Sequence, residues 1–150
     1  MDRHNFQKMM KLFICCSVIL VITMTISCGD GKRNTPEMVV DSFAVAYFNW
    51  RFKDAEPYVT YQSRKWLRFA ASQVDSEDVD SLRAMEFAAA AGVDDIVEID
   101  DSTALANVTI KNFIVMDSIG MHPRKETERK FEIPVAMEGN YWKVKLTHLP

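Results

Sequence analysis

The 150-residue chain is poor in every residue type on which small proteins lean in place of a core: three cysteines, three histidines, five glycines and five prolines. So few glycines and prolines exclude a collagenous or low-complexity chain. Cys15 and Cys16 lie within one apolar run and leave Cys28 alone, which excludes a disulfide framework. Gly29, Gly31, Gly92, Gly120 and Gly139 each stand apart, so there is no glycine-rich phosphate loop and no Gly-x-Ser-x-Gly nucleophile elbow. With neither HExxH nor CxxC, a zinc site has no support, and His122 and His148 read as surface residues. No cofactor is expected. The net charge is -3, with no basic excess, which argues against a nucleic-acid binder. What remains, 48% apolar and 26% charged, is the composition of one ordinary globular domain.

The amino terminus is the most informative stretch. Arg3, Lys8 and Lys11 precede an uncharged run from Leu12 to Ile26, a basic segment followed by a hydrophobic one. That run falls short of the roughly 20 residues of a membrane-spanning helix. It ends at Thr25-Ile26-Ser27-Cys28-Gly29-Asp30, which resembles the lipobox of bacterial lipoproteins, with Thr25 standing where that pattern has leucine. The resemblance implies cleavage between Ser27 and Cys28 and lipidation of Cys28. The lone mature thiol fits, because a leftover cysteine in a secreted domain calls for a role. The same run would also suit an uncleaved signal anchor, or a simple signal peptide with an incidental cysteine. The expected organisation is a leader over residues 1–27, a lipidated cysteine and polar tether over 28–34, and a single domain over 35–150. Loss of the leader shifts the net charge to -5.

Within the domain, Thr35-Pro36-Glu37 predicts a helix start: a capping hydroxyl, proline at the first position and a carboxylate in the first turn. Val39, Val40, Phe43, Ala46, Tyr47 and Trp50 then recur at helical spacing over about 15 residues. A second helical segment is predicted after Asp54, with Pro57 in its first turn and Thr60 as a break. A third is predicted from Ser76 to Ala91, stopped by Gly92. Beyond Val93 the period falls to 2. A turn is expected at Asp100-Asp101 and a β-bulge near Lys111 or Asn112, where the apolar phase slips from Ile110 to Phe113. Phe131, Ile133, Val135 and Met137 face Trp142, Val144 and Leu146 across Gly139-Asn140 if paired numbers sum to 279. Pro134 would then oppose Lys145 without an N–H to give, which a four-residue loop, Glu138 to Tyr141, would relieve.

Three helices followed by about four antiparallel strands make an α+β layout. Residues 35–60, from Thr35-Pro36-Glu37-Met38-Val39-Val40 through Phe43, Tyr47 and Trp50 to Tyr58-Val59-Thr60, resemble the opening of small bacterial lipoproteins with the nuclear transport factor 2-like, or cystatin-like, fold. That resemblance implies helices packed into a curved sheet with a cone between them that serves as a ligand pocket. Tyr47, Trp50, Tyr58, Tyr61 and Trp66 are its candidate walls, suited to an apolar or amphipathic small molecule. Their spacing equally suits plain core filling. Asp41 could serve as a buried acid, but on the first helix a solvated position is expected.

The expectation is therefore a lipid-anchored protein of the bacterial envelope whose domain lies outside the cytoplasm, in a non-catalytic binding or accessory role. One rival is an isomerase- or cyclase-type enzyme using Asp41 or His122 with a pocket tyrosine. The other is an interaction module that pairs with an envelope protein or with a second copy as a homodimer. The mixed-charge run Arg124–Lys130 reads as a soluble loop and strand edge; if its basic residues reached the lipid they would add headgroup attraction, partly cancelled by Glu126, Glu128 and Glu132.

Overall fold

Thr35 begins the first helix as its sequence requires, its hydroxyl accepting from the Met38 N–H at 3.4 Å. The computed structural model describes residues 34–115 and 123–150. The expected leader with Ser27, the expected tether from Cys28 up to Asn34, and His122 lie outside the described residues. Helix α1 (Pro36–Phe48) ends two residues short of its expected end, in a Schellman closure. Trp50 donates to the Tyr47 carbonyl and Arg51 to that of Ala46, both at 2.9 Å. Trp50 takes the left-handed conformation there (φ 56), so it terminates α1 instead of extending its apolar stripe.

The second expected helix is broken into four pieces: α2 (Phe52–Ala55), 3₁₀ turns at Glu56–Tyr58 and Tyr61–Ser63, and α3 (Arg64–Gln73). Its break falls at Thr60 because the Thr60 N–H donates to Val144 at 3.0 Å and Val59 forms a parallel bridge with Val144. Asp54 lies inside α2 and caps nothing. The third helix, α4 (Ser76–Arg83), opens with a reciprocal capping box between Asp75 and Asp78 and stops early. Gly92 is no helix stop but a strand residue. Asn49 exchanges two hydrogen bonds with the Ala89 backbone, both at 2.9 Å, and the next residue opens a strand. Tertiary pairing overrides the helix preference of the alanine run.

Four strands follow, β1 (Ala90–Asp100), β2 (Thr103–Val115), β3 (Arg124–Glu138) and β4 (Tyr141–Val144), paired antiparallel in the order β1-β2-β3-β4. The last hairpin has the expected register, with Val135 opposite Val144 and Met137 opposite Trp142. Its loop is the strict two-residue one, since Glu138 pairs with Tyr141 and Gly139 supplies the positive φ of 66. The conflict at Pro134 is resolved differently from the expected longer loop. Lys145 donates to the Pro134 carbonyl at 2.8 Å, but Pro134 has no N–H to return, and β4 ends at Val144. The phase slip on β2 also has another cause than an inserted residue. Lys111 pairs with Glu128 and Phe113 with Glu126, so no register shift occurs. Asn112 between them is left-handed (φ 53) and turns Phe113 inward. The register shifts lie on β1, at Val93/Asp95 and Glu98/Asp100.

Ala104, Ala106, Val108 and Ile110 of β2 are all buried, and with Ile133, Val135 and Val144 they pack against Val40, Phe43 and Ala44 of α1. Each large side chain removed from water here contributes about 1.5–3 kcal/mol before entropy is counted. The result is an α+β domain, a four-stranded antiparallel sheet with helices preceding it.

Candidate functional site

The space expected between long helix and sheet is occupied by aromatic rings. Phe43 stacks on Tyr47 at 5.3 Å between centroids, and Tyr47 meets Phe48 edge-on at 5.1 Å. Phe48 in turn contacts Phe113 at 5.3 Å and Phe131 at 4.8 Å. These separations are those of favourable aromatic pairs. Burial pushes the Tyr47 phenol pKa far above its usual value, so the ring stays neutral and acts as core. At the end of the row the Arg129 guanidinium lies 5.9 Å from the centroids of both Phe113 and Phe131, held by the Glu126 carboxylate.

The five candidate wall residues part company. Tyr47 is core; Trp50, half-buried, closes α1; Tyr58, half-buried, packs on the core surface. Tyr61 and Trp66 come together at the rim of a groove of about 530 Å³ between the Tyr61–Ser63 turn, the start of α3 and the β3–β4 end of the sheet. Lys65, Met137, Glu138 and Lys145 share it. Tyr61 is 72% exposed.

Several hydrogen bonds build this groove. The Tyr61 N–H donates to Glu138 Oε1 at 2.9 Å. Ser63 Oγ accepts from the Leu146 N–H at 2.8 Å and lies 2.6 Å from the Thr60 hydroxyl. Because β4 has already ended, the Leu146 amide has no ladder partner, and the buried Ser63 supplies one. That commitment leaves α3 without a side-chain cap. Lys143 Nζ donates to the Pro57 carbonyl. Along the same outer edge of β4, the Asn34 side chain pairs with both backbone groups of Trp142, donating to its carbonyl at 3.4 Å and accepting from its N–H. Asn34, the first described residue, is thus fixed two strand positions from Val144, where Thr60 is held. Cations lie over the groove's rings: the Arg64 guanidinium 5.6 Å from the Tyr61 centroid and Lys65 Nζ 5.3 Å from that of Trp66.

Chemically this is an amphipathic surface of aromatic faces, alkyl stems and ammonium tips, with one carboxylate already engaged by a backbone N–H. It suits contact with apolar groups beside anions. Asp41 is exposed on α1, and His148 is exposed, with Nδ1 3.0 Å from the Thr147 hydroxyl. Among the described residues no three His, Cys, Asp or Glu side chains are grouped to hold a metal, and no helix is long and apolar enough to cross a membrane. Sequence reasoning missed Asn34, Glu138 and Lys145. The register sum of 279 could have flagged the last two, since it sets Glu138 beside Tyr141 and Lys145 beside Pro134.

Comparison with known proteins finds no matching family profile and no matching curated protein. Among solved structures, the chain is similar to a candidate nuclear transport factor 2-like (NTF2-like) transpeptidase from Campylobacter jejuni. The two share 13% identity and a TM-score of 0.47, over 75% of this chain and 99% of that one.

Proposed function

We propose that this protein is a lipoprotein of the bacterial envelope, anchored through Cys28, whose domain has a non-catalytic binding or accessory role carried by its surface. The observation that carries the anchor is the order of residues 1–30: basic flank, uncharged run, small residue, and the one cysteine of the mature chain. More than one acyl chain on that residue would give stable attachment, at about 0.8 kcal/mol per buried methylene. The aromatic packing between α1 and the sheet supports a surface role. Phe43, Tyr47, Phe48, Phe113 and Phe131 pack against one another between α1 and the sheet. An enzyme of the isomerase type would require a titratable side chain there; the buried titratable groups described are Tyr47, held neutral, and Asp78, engaged in the α4 capping box.

Metabolic labelling with a fatty-acid analogue tests the anchor. The wild-type chain should incorporate label and sediment with membranes, while Cys28→Ala should accumulate as unlabelled precursor. An unlabelled wild-type protein, recovered in solution with a free thiol at Cys28, would overturn the proposal.

A further inference from the structure

We infer that the groove face, from Tyr141 and Tyr61 across Trp66 to Phe69, docks on the anionic lipid surface to which the chain is tethered. The inference rests on the proposed anchor at Cys28. Six peptide steps join Cys28 to Asn34, a reach of about 20 Å when fully extended. Asn34 is pinned to Trp142 on the outer edge of β4. Two positions along the same edge, Val144 holds Thr60, the residue before Tyr61. Asn34, to which the tether joins, therefore lies beside this face.

The face has the composition that bilayer interfaces accept. Tyr61 is 72% exposed, Tyr141, paired with the groove residue Glu138, 61%, and Phe69 45%, and exposed tyrosine rings settle at headgroup depth. Helix α3 carries Arg64, Lys65 and Arg68 and no carboxylate. Lys65, Trp66 and Phe69 fall on one side of it by their three- and four-residue spacing. Lys145 adds a further cation across the groove. Opposing them are Glu138, which accepts from the Tyr61 N–H, and Glu56, 3.8 Å from Arg64 Nε.

The other basic surface lies far from Asn34. At about 3.3 Å per strand residue, Arg124 lies roughly 40 Å along β3 from Met137, twice the span of the tether. The basic residues along this part of the sheet are also paired locally, Arg124 and Arg129 with Glu126, Lys130 with Asp94 and Lys111 with Glu128.

The test uses the processed, lipidated protein in phosphatidylglycerol-containing vesicles, with a nitroxide on Tyr61→Cys or, far along β3, on Glu128→Cys. Lipidation consumes Cys28, so each introduced thiol is the only one labelled. The label at 61 should be reached by lipid-soluble oxygen and shielded from a water-soluble nickel complex, while the label at 128 stays aqueous. Neutralising Lys65→Gln and Lys145→Gln should weaken docking about fivefold for each charge removed. Vesicle flotation is read in parallel. Protein that floats with both labels aqueous overturns docking and leaves the anchor standing; protein that does not float overturns both. A label at 61 that is aqueous on vesicles but immobilised in native membranes also overturns lipid docking, in favour of a protein occupant.

Discussion

Replacing Ser63 by alanine tests the physical account of the groove most directly. Ser63 is 1% exposed and is the hydrogen-bond acceptor for the Leu146 amide at 2.8 Å. That amide lies just past the end of β4, where Pro134 has cut the ladder short. Removing the hydroxyl orphans a buried N–H, at a cost of about 1–3 kcal/mol. It also takes away the neighbour of the Thr60 hydroxyl, which sits at 9% exposure and adds less than about 1 kcal/mol, because a water can replace its partner. The expected loss is about 2 kcal/mol, a shift of roughly 1 M in the urea midpoint with the slope unchanged. Thr60→Val keeps the Ser63–Leu146 bond and the Thr60 backbone bond to Val144, so it should cost under about 1 kcal/mol. The double variant should cost little more than Ser63→Ala alone, since the orphaned amide dominates both. Equilibrium unfolding followed by tryptophan fluorescence measures all three. A Ser63→Ala protein within about 0.5 kcal/mol of wild type, the usual range for surface substitutions, would refute the argument that Ser63 completes the ladder.

Three further outcomes are expected. Phe113→Ala removes a 2%-exposed ring that joins Phe48 and Phe131, and should lower stability in urea titrations by about 3–5 kcal/mol. At Asn112, left-handed at φ 53, a glycine should be tolerated or stabilising, whereas valine should cost about 1–2 kcal/mol, read as opposite shifts in melting temperature. Hydrogen bonds from the Ser102 side chain and backbone, then Thr103, hold the Asp100 carboxyl at about 2. Its folded pKa is thus below the unfolded value, so its contribution is present above about pH 4 and lost as pH falls through about 2. The stability advantage of wild type over Asp100→Asn should shrink to nothing across that interval.

Legibility in this chain followed the range of the forces involved. Thr35 and Pro36 announced α1 because a helix cap needs only residues three positions away. The alternation around Gly139 determined the β3–β4 register, because a one-residue slip would have turned Met137, Val135 and Val144 to water. Pro134 even showed where that ladder would fail, though not that β4 would end there while the turn stayed tight.

Contacts between distant parts of the chain decided the rest. The alanine-rich run ahead of Gly92 has the propensity of a helix and became strand, because Asn49, 40 residues earlier, bonds both backbone groups of Ala89. Tyr47 and Tyr61 look equivalent as sequence, but one is sealed among phenylalanines while the other stands in solvent, since Thr60 is held on Val144. Local periodicity records which residues avoid water. Only the tertiary hydrogen bonds, each depending on a partner elsewhere in the chain, fix what those residues meet.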